Sequence, residues 1–143
     1  MSANTSRVDT STIDAGFLED VVAVLTGLSD TWIITEGWRD GAREAALHAA
    51  YLADPAHAPK ATDPSNSAHV GANFPDGCAR AVDLTLVRDG KDVWEVDDRN
   101  LQDPGWIALV DAIVAHPRLH SLATIGDYDH IEKLHWQHDK TSP

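Results

Sequence analysis

Two clusters of side chains have the types and spacing to do chemistry. The first is Ser67-Ala68-His69-Val70-Gly71, followed by Arg80-Ala81-Val82-Asp83-Leu84. The second is Glu132-Lys133-Leu134-His135-Trp136-Gln137. Asp83 interrupts an apolar run in which Val82, Leu84 and Leu86 alternate with Ala81, Asp83, Thr85 and Val87. A carboxylate there is costly unless it meets a hydrogen-bond partner, a cation or a metal. An ion pair to Arg80 or Arg39 is the plain reading. Glu132 and His135 are three positions apart and can face one space from a single turn of backbone. A hydrolytic zinc site needs three protein ligands and an open position for water. It also benefits from a non-ligating carboxylate that takes the water's proton. His69, Asp83 and His135 supply such ligands, and Glu132 such a base. Alone, each cluster reads as an ion pair or a surface pair; together they point to one zinc per chain. His48, His57, His116 and His120 read as solvated.

These residues need elements to carry them. An apolar stripe of Phe17, Val21, Val22, Leu25 and Leu28 predicts a helix over 12–28, with Thr12 or Asp14 as its cap. Residues 32–35 read as a short buried strand. Asp40 caps an Ala-rich helix reaching Ala53. Residues 54–76, rich in Pro, Ala, Asn, Ser and Asp, read as a long loop of the kind that more often serves function. Residues 81–87 form the best strand, and Asp89-Gly90 predicts a hairpin into Val93-Trp94-Glu95-Val96. Asp103-Pro104 opens a helix with a stripe of Trp106, Leu109, Val110, Ile113 and Val114, ended by Pro117. Residues 122–125 predict another strand. Residues 127–138 mix charge, His and aromatics too densely for a plain core strand. The expected fold class is α+β, a small, mostly antiparallel sheet with helices packed on one side. The expected layout is a flexible arm over 1–11, a catalytic domain over 12–138, and a tail or linker start over 139–143.

Composition narrows the function. The 143 residues suit one domain. A formal net charge of −12, from 23 acidic and 11 basic residues, argues against a broad nucleic-acid-binding face or docking on anionic membrane. Cys78 is the single cysteine, which excludes an intramolecular disulfide and a Cys-rich zinc site. The opening residues lack the apolar core of a signal peptide, and no segment has the apolar length to span a bilayer.

The pattern resembles the zinc peptidases that include D-alanyl-D-alanine carboxypeptidases and dipeptidases and the L-alanyl-D-glutamate endolysins of phages. Their signature is S-x-H-x-x-G-x-A-x-D, then E-x-x-H or D-x-x-H followed by Trp or Phe. Ser67, His69, Ala81 and Asp83 match the first part; Glu132, His135 and Trp136 match the second. Gly37-Trp38-Arg39 resembles the family's upstream Gly-aromatic-Arg, and Gly126-Asp127-Tyr128 resembles the endolysins' Gly-Asp-Trp. The likeness spans about residues 31–137. It departs in two places. The His69-to-Asp83 spacing is wider than usual, with 73–78 reading as a loop insertion. Ala79 stands where the family has Gly; Gly71 or Gly77 is the candidate substitute.

The resemblance implies a DD-peptidase or hedgehog-like fold and hydrolysis of a peptide bond in the peptidoglycan stem. Glu132 would take the proton of the attacking water and pass it to the leaving amine. Arg39 would stabilise the oxyanion or bind a substrate carboxylate, unless it is a structural ion pair. Ser67 would bind substrate or orient His69, unless it is a turn residue. Asp127 would hydrogen-bond a ligand histidine, unless it only serves the turn. Trp136 would pack beside the site rather than act as a substrate platform, and Cys78 is a bystander. The endolysin-like turn and the missing signal peptide favour an L-alanyl-D-glutamate endopeptidase, monomeric, made in the cytoplasm and released through a membrane hole made by another protein. The alternatives are a D-alanyl-D-alanine carboxypeptidase, a crosslink endopeptidase, or a zinc-bearing binding module without catalysis.

Overall fold

The structure is a computed structural model that describes residues 5–58, 61–93, 103–123 and 127–140. In chain order the main elements are β1 (Thr5–Ser6), α1 (Ala15–Gly27), β2 (Thr31–Glu36), α2 (Gly41–Ala53), β3 (Ala81–Arg88), β4 (Lys91–Val93), α3 (Pro104–Ala115), β5 (Leu119–Leu122) and β6 (Asp127–Lys133). It is the expected α+β architecture. The six strands form one sheet in the order β1-β2-β3-β6-β5, with β4 also on β3. Among the strand pairs of the described residues, only β1–β2 is parallel. β3 is central: β2 lies along one side, and β6 and then β4 share the other.

Alternation divides β3 as its sequence predicts. Val82, Leu84 and Leu86 are fully buried, in one core with Trp32, Ile34 and Ile131 of the neighbouring strands. Onto this face pack Phe17, Val21 and Leu25 of α1 and Trp106, Leu109 and Ile113 of α3. Trp32 and Trp106 meet edge to face at 5.0 Å. Each such buried side chain stabilises the fold by roughly 1.5–3 kcal/mol. Val22 and Val114 lie outside the stripe and are exposed. The helices start at aspartates: Asp14, Asp40 and Asp103 accept from the backbone N–H of Phe17, Arg43 and Gly105. Losing such a cap costs about 0.5–2 kcal/mol. α2 stays out of this core, and its buried side chain is Glu44.

Three expectations need correction. The arm is part of the fold from Thr5 onward, because Thr5–Ser6 pairs with Ile33–Ile34 and Ile13 bridges Ala79. The expected strand over 122–125 begins earlier, at Leu119; residues 124 and 125 lie outside the described residues, as do Trp94, Glu95 and Val96 of the hairpin. The segment after residue 126, too polar for a plain core strand, is β6. Its Ile131 fills the core while His130 and Glu132 face the opposite side of the sheet, so one face is apolar and the other ionisable. Among the described residues, no helix is long and apolar enough to cross a membrane.

Candidate metal centre

The second face of the sheet carries the ionisable residues. Asp83 on β3 stands directly opposite His130 on β6, and Ala81 opposite Glu132. His69 reaches the same spot from the long loop. Its placement comes from backbone contacts. The His69 carbonyl accepts from Arg39 N–H at 2.9 Å, and Val70 bridges Arg39. Gly71 permits that approach: a Cβ there would stand 2.1 Å from Trp38 Nε1 and 2.2 Å from the Gly77 carbonyl. Both candidate glycines are needed, Gly71 for its close contacts and Gly77 for its positive φ of 73°. Ser67 Oγ accepts from the His69 N–H at 3.2 Å, so Ser67 orients His69.

Three donor atoms converge. His69 Nε2 lies 3.2 Å from His130 Nδ1 and 3.5 Å from Asp83 Oδ1, and His130 Nδ1 lies 3.4 Å from the same oxygen. The outer atoms of each ligand are engaged elsewhere. His69 Nδ1 donates to the Gly37 carbonyl at 2.7 Å. His130 Nε2 donates to Glu132 Oε1 at 2.7 Å. Asp83 Oδ2 accepts from Arg39 Nη2 at 2.9 Å. A carbonyl and a carboxylate only accept, so these contacts place an N–H on the outer nitrogen of each imidazole and turn the inner nitrogens toward Asp83. His69, Asp83 and His130 can hold a metal ion. They open onto a cavity of about 740 Å³ that Asp127, Asp129 and residues 55–58, 61 and 62 also line.

Electrostatics agree. Burial alone would raise the Asp83 carboxyl, but the facing His69 and His130 rings hold it well below the usual carboxylate range. Burial alone would lower the His130 imidazole; its hydrogen bonds to Asp83 and Glu132 outweigh that and push it up to about 10. In the metal-free protein His130 thus carries a proton at neutral pH, which a metal must displace.

Of the expected ligands the structure brings His69 and Asp83 together, and the histidine beside them is His130, not His135. His135 follows the end of β6 at φ 58°, in the left-handed region, and its exposed ring stacks on His138. It lines a different cavity, with Asp14, Phe17 and Arg118. The single turn assumed for 132–135 is a strand end followed by a reversal, which sends the two side chains apart. Glu132 stays at the site but with both oxygens engaged: Oε1 by His130 and Oε2 by Trp136 Nε1–H at 2.9 Å. Both contacts tie it to its neighbours, one of them the candidate ligand His130. Arg39 gives three N–H groups to Glu36, Glu44 and Asp83. Trp136 is buried against Phe74, ring centroids 5.9 Å apart. Phe74 belongs to the 73–78 insertion, so that insertion fills a small second core beneath the site. Cys78 contacts the Asp76 carbonyl, away from the donor atoms.

His130 escaped the sequence reading, though a signal existed. Asp127-x-x-His130 also has the D-x-x-H form, but Ile131 follows it where the signature has Trp or Phe. The core residue Ile131 at period two puts His130 and Glu132 together on the opposite face. Neither the family models nor the curated proteins with which the chain was compared match it.

Proposed function

We propose that this chain is a zinc-dependent peptidase of the peptidoglycan stem peptide, cutting an internal bond of the L-alanyl-D-glutamate type. The observation that carries the reading is the convergence of His69 Nε2, Asp83 Oδ1 and His130 Nδ1 in the lining of a cavity of about 740 Å³. Zinc bonds of about 2.0–2.1 Å at tetrahedral angles separate adjacent donors by about 3.3 Å. The observed separations of 3.2, 3.4 and 3.5 Å fit that ion. The matches at Ser67, His69, Ala81 and Asp83 add the family resemblance. Two imidazoles and one carboxylate leave one tetrahedral position open, the pattern of catalytic rather than structural zinc.

When bound, the zinc supplies a Lewis acid for the scissile carbonyl and lowers the pKa of the attacking water. Asp127 is the general base, in place of Glu132. It lines the same cavity as His130 and accepts the water's proton before returning it to the leaving amine. Glu132 keeps His130 in the ligating tautomer.

Endopeptidase activity is favoured over carboxypeptidase activity by Arg39. A carboxypeptidase must hold the terminal carboxylate beside the scissile bond. Arg39 lines the cavity but is already engaged by three carboxylates. The test is digestion of purified peptidoglycan with zinc-loaded protein, followed by identification of new amino termini. D-Glutamate termini that disappear with chelation are expected. Release of free D-alanine alone would make it a carboxypeptidase, and no cleavage at all would overturn the peptidase reading.

A further inference from the structure

We propose that Glu44 and Arg39 are positioning residues of the metal centre, which hold the Asp83 carboxylate with one oxygen turned to the metal and the other withheld from it. The inference rests on the metal-centre part of the function proposed above and not on the bond that is cut.

Glu44 is the starting observation. It sits in the first turn of α2, an Ala-rich helix, and is 1% exposed. Nothing in the hydrolytic scheme uses it. A carboxylate so buried needs a charged, hydrogen-bonded partner, and Arg39 Nη1 supplies one at 3.2 Å. The guanidinium is a rigid planar fork, so anchoring part of it aims the rest. Nε is fixed on Glu36 Oε1 at 3.0 Å and Nη1 on Glu44. Nη2 therefore has a set direction, and Asp83 Oδ2 lies on it at 2.9 Å. Oδ1 is left facing both imidazoles.

The arrangement does two things for an ion. It makes Asp83 a one-oxygen ligand; a carboxylate free to rotate could offer both oxygens and take the coordination position a reaction needs. It also joins the two ligand-bearing segments through one residue, because the Arg39 backbone N–H holds the His69 carbonyl while its side chain holds Asp83.

Full-length Arg39→Lys and Glu44→Gln test this, with Arg118→Lys as a control on an exposed ion pair to Asp20. Zinc affinity is read by competition with a chromophoric chelator, and ligand geometry by the visible spectrum of the cobalt-loaded protein. Arg39→Lys should weaken zinc binding about 10–100-fold, the usual scale for losing a group that orients a ligand. Its cobalt bands should weaken as Asp83 turns to offer both oxygens. Glu44→Gln should shift both readouts the same way by less, and Arg118→Lys neither. Folded variants with wild-type affinity and an unchanged cobalt spectrum would overturn the proposal. If the variants do not fold, the crystal structure of the zinc-loaded wild type decides. Asp83 bound through Oδ1 alone, with Oδ2 on Arg39, supports it; Asp83 bound through both oxygens, or Arg39 turned away, overturns it. Wild-type protein that binds no zinc would instead overturn the metal centre itself.

Discussion

Glu132→Gln separates two roles for one residue. If Glu132 were the base, the amide would stop hydrolysis and leave metal binding intact. The hydrogen bonds predict otherwise. Both neighbours of the carboxylate are donors: His130 Nε2–H at 2.7 Å and Trp136 Nε1–H at 2.9 Å. A carboxylate satisfies two donors, whereas a Gln amide has one acceptor oxygen and one donor nitrogen. One contact must fail whichever way the amide lies. If its nitrogen faces His130, the imidazole changes tautomer, and Nδ1–H then points at Asp83 and His69 where a metal needs a lone pair. If its nitrogen faces Trp136, a buried indole N–H loses its acceptor. Hydrogen bonds to charged groups contribute about 1.5–3 kcal/mol. Metal affinity should therefore fall about 10–100-fold, the range typical of a lost carboxylate partner of a ligating histidine. Chelator competition at fixed pH measures it, with circular dichroism to show that the fold persists. Unchanged zinc affinity together with lost hydrolysis would refute the positioning role and restore Glu132 as the base.

Other outcomes follow from the same geometry. His135→Ala should leave metal content unchanged, by elemental analysis of purified protein, because the ring lies at another cavity. Asp127→Asn should keep the metal while cleavage of peptidoglycan falls about 100-fold or more; near-normal turnover would move the base to another group. Metal binding at pH 7 should release about one proton, from His130, measured by calorimetry in buffers of different ionisation enthalpy. The sign for stability is fixed by the raised pKa. His130 shifts from 6.5 to about 10, so its contribution to the metal-free fold is complete below the unfolded value and is lost as pH rises through about 10. Urea midpoints of metal-free protein should therefore fall between pH 7 and 10, and a flat profile would contradict the buried imidazolium.

The sequence carried most of the framework because local signals and tertiary structure agree. The caps at Asp14, Asp40 and Asp103 and the alternation of β3 read directly from residue types. Asp83 was legible as a carboxylate out of place on an apolar strand, and His69 through its spacing from Ser67. The third candidate donor, His130, was not, because two overlapping patterns compete in 127–136. The motif form with a following Trp favoured Glu132 and His135, while the strand period favours His130 and Glu132. The αL residue at His135 decides between them, and no residue type demanded it: a non-Gly residue at positive φ leaves little trace in sequence. The Glu44–Arg39–Asp83 chain was hidden for another reason. Its members come from α2, the turn after β2, and β3, and only the fold brings them together.

Anomalous scattering from crystals of zinc-loaded protein shows whether His69, Asp83 and His130 bind a metal. One strong peak per chain is expected at bonding distance from His69 Nε2, Asp83 Oδ1 and His130 Nδ1, with His130 Nε2 still on Glu132. A peak at His135, or no peak between β3 and β6, would contradict it.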